Sequence, residues 1–65
     1  MKRIRELRKE RDVSQADVGK LFKITRQAVQ RWEVGKSQPN IFQLITLADY
    51  FNVSIDYLVG RSDVR

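Results

Sequence analysis

The chain has 65 residues, 42% of them hydrophobic, and contains neither cysteine nor histidine. That length allows one small domain with a single core, and the missing residue types exclude disulfides, thiolate or imidazole chemistry and zinc sites of the finger type. Thirteen Lys and Arg against eight Asp and Glu give a net charge of +5, and the excess is uneven: 11 basic and 5 acidic residues lie up to Lys36, with 2 and 3 after it. Positive charge gathered in one half is the electrostatic footprint of a polyanion binder. No apolar run approaches the roughly 18 residues needed to span a bilayer, and no secretory signal pattern is present. Absence of cysteine fits a reducing compartment, so a cytoplasmic location is expected.

A first helix is expected from about Lys2 to Arg11. Its apolar positions, Ile4 and Leu7, are spaced i, i+3 and form a narrow stripe, which predicts a surface helix laid along one edge of the core. Lys2, Arg3, Arg5, Lys9 and Arg11 read as a solvated charged face. A basic membrane-surface helix would need a broader apolar face than this. Asp12 and Val13 form a link, with Val13 as a plug under the next helix.

Ser14 is a good N-cap for a second helix over Gln15–Phe22, and Asp17 three residues on is a short-armed capping-box partner. Val18, Leu21 and Phe22 are its core positions. Gly19 inside the helix costs about 1 kcal/mol relative to Ala, which predicts close backbone approach by the helix that follows. Lys23-Ile24 makes the turn. Thr25 caps a third helix, which ends at Gly35, a residue suited to the left-handed conformation after a helix. Beyond the Lys36–Pro39 loop, Asn40 and Gln43 complete a second capping box. The fourth helix carries a stripe of Leu44, Leu47, Ala48 and Phe51, flanked by Ile41 and Ile45. Ser54 caps a last short helix in which Ile55 and Leu58 face inward, and Gly60 ends it. No stretch alternates with a period of two. The expectation is an all-α domain of five short helices over residues 1–60, followed by a frayed polar tail over 61–65.

The third helix divides by side. At about 100° per residue, Ala28, Val29 and Trp32 share one stripe, while Arg26, Gln27, Gln30 and Arg31 lie opposite. None of those four is acidic. Arg and Gln are the side chains able to grip guanine and adenine edges in pairs, whereas a face serving only solubility would mix in Glu or Lys at i, i+4 spacing.

In this order, Ser14-Gln15, Val18-Gly19, Ile24-Thr25, Val29, Trp32-Glu33, Gly35-Lys36, Pro39 and Leu47-Ala48 resemble the Cro/C1-type helix-turn-helix family, the lambda-repressor-like or XRE type. The run Asn52–Gly60 is similar to that family's closing helix, so the likeness covers nearly the whole chain. The resemblance implies a compact five-helix fold, with the helix-turn-helix formed by helices two and three, and sequence-specific binding of double-stranded DNA in a phage or bacterial transcriptional repressor. It implies base contacts by Thr25, Arg26, Gln27 and Arg31, joined by Gln30. It also implies a phosphate contact by Gln15, which braces the recognition helix, and another by the side chain and backbone amide of Lys36. Arg8 and Glu33 match a charged pair tying helix one to the end of helix three.

Lys23 departs from the family's usual turn glycine, Gly19 from its usual alanine, and Phe42 from a usually polar position. One domain contacts few base pairs, so a homodimer on a near-palindromic operator is expected, with Phe42, Tyr57 and Val59 as candidate subunit-contact surface. No metal, cofactor or small-molecule site is evident. An alternative of a different class keeps the fold but makes a protein partner primary, as in an antitoxin or adaptor. RNA recognition would call for stacking aromatics, and the third helix has only Trp32, on its core stripe. For an enzyme, no catalytic constellation can be named.

Overall fold

Four of the five helices begin at a polar residue whose side-chain oxygen accepts from the backbone amide three positions on. Ser14, Thr25, Asn40 and Ser54 do this for α2 (Gln15–Phe22), α3 (Arg26–Val34), α4 (Ile41–Phe51) and α5 (Ile55–Leu58). Such a cap satisfies one of the donors left open at a helix start and contributes about 1 kcal/mol. At Ser14/Asp17 and Asn40/Gln43 the bond is reciprocal, giving two complete capping boxes. The exception is α1 (Lys2–Glu10), whose N-cap Met1 offers no side-chain bond. The computed structural model describes Met1–Arg65 and contains these five helices and no strand.

The core holds Ile4 and Leu7 from α1, Val18 from α2, Val29 and Trp32 from α3, Leu47, Ala48 and Phe51 from α4, and Leu58 from α5. Full burial of side chains of this size stabilises by about 1.5–3 kcal/mol each, so every helix is anchored by at least one such residue. Val13, Ile24, Phe22 and Leu44 are half-buried around this cluster. Leu21 departs from its expected place: it is 40% exposed, and Ile41 and Ile45 beside the α4 stripe are exposed too. On the eight-residue α2 the inward positions are instead Val18, fully buried, and the half-buried Phe22, whose ring meets Trp32 of α3.

The junction between α2 and α3 is tight for a definite reason. A Cβ placed on Gly19 would sit 2.7 Å from the carbonyl oxygen of Ile24, and the Gly19 carbonyl accepts from the Ile24 amide at 3.0 Å. Lys23 makes the turn in the left-handed region, φ 55° and ψ 41°.

The C-terminal segment is not frayed. Arg3 on α1 donates to the carbonyls of Tyr57 and Ser62 and to the Asp63 carboxylate at 2.7 Å. Arg65 forms a two-pronged ion pair with Glu10, both arms 2.7 Å, and its carbonyl accepts from the Ser54 amide at 2.8 Å. Arg11 donates to the carbonyls of Tyr50 and Phe51 at the end of α4. Three of the α1-region arginines therefore bind other parts of the chain: Arg3, Arg11 and, below, Arg8. The solvated charged face expected for this helix shrinks to Lys2, Arg5 and Lys9.

Candidate nucleic-acid interface

The third helix is held from behind. Val29 is fully buried and Trp32 nearly so. The Trp32 ring meets Phe22 of α2 edge to face at 5.6 Å, and its carbonyl accepts from the Met1 ammonium at 2.7 Å. At the C-terminal end, Gly35 takes φ 81°, and the Arg31 carbonyl accepts from the Lys36 amide at 2.9 Å.

Orientation comes from a buried polar knot. Arg8 Nε donates to Glu33 Oε2 at 2.9 Å and Arg8 Nη2 to Glu33 Oε1 at 3.3 Å, while Arg8 Nη1 reaches the Val13 carbonyl at 3.1 Å. Gln15 Nε2 donates to the same Glu33 Oε1 at 3.1 Å. The Glu33 side chain is 2% exposed and that of Arg8 13%. One carboxylate thus joins α1, the first residue of α2 and the last turn of α3, and no buried side-chain polar atom of the chain lacks a partner.

With the back fixed, the front is free. Arg26, Gln27, Gln30 and Arg31 are all exposed. Intramolecular side-chain hydrogen bonds elsewhere engage Arg3, Arg8, Arg11, Gln15, Gln43 and Arg65, but none of these four. Gln15, Arg26, Gln27 and Gln30 line one shallow hollow. Thr25 lies at its helix's start, exposed, with its hydroxyl accepting from the Ala28 amide at 3.2 Å; that cap leaves the hydroxyl proton available. Gln15, bound to Glu33 by one N–H, keeps the other. Lys36 is exposed, but its backbone amide is committed to Arg31. Only its side chain is therefore available for a phosphate, against the expectation that amide and side chain act together.

A second hollow adjoins the first, sharing Gln15 and Arg26 with it and lined further by Arg5, Arg8, Lys9, Ser14 and Ala16. By the pattern of α1 alone, Arg5 and Lys9 belong to a solvated face. Their i, i+4 spacing put them on one face, but only the packing of α1 against α3 reveals which neighbours that face has. Close by, the Asp17 carboxyl is held below its usual range by the hydrogen bonds it makes with Ser14, so the capping box is charged and intact at neutral pH.

The three candidate subunit-contact residues differ. Phe42 is 77% exposed and Val59 39%. Tyr57 is half-buried, with the Arg3 guanidinium 4.1 Å from its ring centroid and that of Arg65 at 5.3 Å. Its ring is flanked by these two arginines and stays partly exposed. No group of three potential metal-ligating residues is present, and no helix is long and apolar enough to cross a membrane.

Comparison with known proteins gives this geometry its context. The helix-turn-helix family model matches residues 4–58. Over 57 residues the chain is 35% identical to repressor protein C2 of Salmonella phage P22, covering 88% of this chain and 26% of that protein. Over 62 residues it is 27% identical to the HTH-type transcriptional activator BcrR of Enterococcus faecalis, covering 95% and 30%. The chain spans less than a third of the length of either relative. The crystal structure of the P22 c2 repressor protein in complex with a synthetic operator superposes with a TM-score of 0.79 at 35% identity, over 88% of this chain and 86% of that one.

Proposed function

Because the chain belongs to the helix-turn-helix family of DNA-binding transcriptional regulators, which are not enzymes, we propose that it binds double-stranded DNA sequence-specifically and represses transcription. The observation that carries this reading is the face of α3. Arg26, Gln27, Gln30 and Arg31 are exposed, adjacent and uncommitted, on a helix whose opposite side is pinned by Val29, Trp32 and Glu33.

In this reading α3 enters the major groove and α2 crosses the backbone above it. Arg26 and Arg31 offer paired donors to guanine O6 and N7, and the Gln27 amide offers a donor and an acceptor to adenine; each such contact discriminates by about 1–3 kcal/mol. Gln30 and Thr25 reach bases at the edge of this footprint. Gln15 and the Lys36 side chain hold phosphates and set the register. Preorganisation is the role of the Glu33 knot, since a Gln15 already fixed to α3 loses little freedom on meeting a phosphate. Two copies on half-sites about 34 Å apart would supply the specificity one domain lacks, with Phe42, Val59 and the exposed part of Tyr57 as contact residues.

Selecting bound sites from a random duplex pool tests the reading. A recurrent half-site containing guanine and adenine, repeated with inverted symmetry, is the expected result, and recovery of unselected sequence would refute base reading. A second reading, in which a protein partner is primary, is supported by Ile41, Phe42 and Ile45, exposed together on the first turns of α4. Stoichiometric co-purification with one other protein, without selective DNA binding, would favour it.

A further inference from the structure

The cations of the α1 region fall into two sets. Arg3, Arg8 and Arg11 are bound to carbonyls and carboxylates of their own fold. Arg5 and Lys9 take part in none of the chain's three ion pairs, Arg3–Asp63, Arg8–Glu33 and Arg65–Glu10, and both are exposed. They stand one helical turn apart with like charge, an arrangement that repels. Exposed as they are, both line an open groove together with Arg8, Ser14, Gln15, Ala16 and Arg26. Of the seven residues around it, Arg5, Arg8, Lys9 and Arg26 are cationic and none is acidic. The groove runs directly into the hollow of Gln15, Arg26, Gln27 and Gln30, because Gln15 and Arg26 belong to both.

A concave, carboxylate-free surface with uncompensated guanidinium and ammonium groups suits a polyanion whose charges are regularly spaced. From this we infer that the Arg5–Lys9 groove seats the DNA phosphate backbone beside the base-reading face, extending the footprint beyond what α2 and α3 provide. This inference rests on the DNA-binding reading above. In it Arg5 and Lys9 carry no sequence information. Arg26, at the seam of the two hollows, links the strand in the groove to the bases under α3. Arg8 keeps its place on Glu33, and its charge is already balanced there.

The test is the salt dependence of duplex binding by the full chain, using a site selected from a random pool. The Arg5→Gln/Lys9→Gln variant keeps good helix formers at both positions, and thermal melting followed by circular dichroism verifies that it folds. A Lys2→Gln/Arg61→Gln variant removes the same net charge from outside the groove. Relative to that control, the groove variant is expected to bind more weakly and to select the same base sequence. Its slope of log affinity against log salt should be shallower by about 0.9 for each phosphate it no longer neutralises. Equal slopes in the two variants overturn the proposal, as does an altered base preference in the groove variant. If the unaltered chain binds no duplex DNA, the DNA-binding reading falls and takes the groove with it, whereas intact binding with equal slopes removes the groove alone.

Discussion

Arg8 and Glu33, 25 positions apart in sequence, meet at 2.9 Å in a site where the carboxylate is almost fully withdrawn from solvent. Taking such a pair out of water is costly, so its value lies less in net stability than in orientation. It fixes the last turn of α3 against α1 and, through the second oxygen of Glu33, holds Gln15 in place. Removing one partner leaves the other charge buried and unbalanced. Arg8→Met is expected to destabilise by about 3–5 kcal/mol, a large share of the stability of so small a domain. Replacing both residues with apolar ones of similar volume, Arg8→Met/Glu33→Met, is expected to cost less than either single change. Urea unfolding of the three variants checks this, and a double variant less stable than both singles would contradict it.

Lys23 is in the left-handed region at φ 55°, where a side chain costs about 1–2 kcal/mol. Asp12 and Asn52, the other two non-glycine residues at positive φ, are of types that tolerate it. Lys23→Gly removes the strain but loosens the unfolded chain, an opposing effect of about 0.4–1 kcal/mol. The expected net gain is about 0.5–1 kcal/mol, visible as a rise of a few degrees in melting temperature. A fall would mean that the Lys23 side chain stabilises the fold by packing.

Gly19 allows no such freedom. With Ile24 O already 2.7 Å from a notional Cβ, Gly19→Val must push the α2–α3 turn apart. A loss of about 1–3 kcal/mol or more, the usual range for overpacking, is expected in denaturant titration, together with weaker DNA binding as α3 shifts on α2. Full stability in this variant would show that the turn is more yielding than its geometry implies.

The clasp between Arg65 and Glu10 should register in the pH dependence of stability. The hydrogen bond from Arg65 holds the Glu10 carboxyl below its ordinary value, and the same contact raises the Arg65 guanidinium. A carboxylate depressed in the folded state contributes stability that is fully present above its unfolded value, about 4.3. That contribution is lost as pH falls through the depressed value. Glu10→Gln is therefore expected to lower the melting temperature at neutral pH, with the difference from the parent chain shrinking on acidification below about pH 4. A difference that grows in acid would reverse the sign.

What the sequence made legible was whatever is written locally. Ser14, Thr25, Asn40 and Ser54 announce helix starts through capping chemistry, and the 3.6-residue spacing of Leu44, Leu47, Ala48 and Phe51 reveals a buried face without knowledge of its partner. The clean division of α3 was visible for the same reason. What escaped depends on elements distant in sequence. The binding of Arg3 and Arg65 in the C-terminal clasp joins residues 60 and 55 positions apart, and nothing nearby in the chain signals it. Arg5 and Lys9 have the same composition and spacing whether they face open water or a groove; only the packing of α1 against α3, which brings them beside Gln15 and Arg26, distinguishes the two. Lys36 shows a third kind of gap, since its amide is taken by the bond that closes α3 onto Gly35, a detail below the level of pattern.

In the proposed complex α3 reads bases while its surroundings hold phosphates, and Gln27→Ala and Lys36→Ala separate the two roles on a panel of duplexes carrying every single-base change across the selected half-site. Gln27→Ala is expected to lose discrimination at one base pair, by about 1–3 kcal/mol, and to leave preferences elsewhere intact. Lys36→Ala should weaken all duplexes about equally and make the salt dependence shallower by about 0.9 in slope. Uniform weakening of every duplex by both variants, with no position losing its preference, would contradict base reading by this helix.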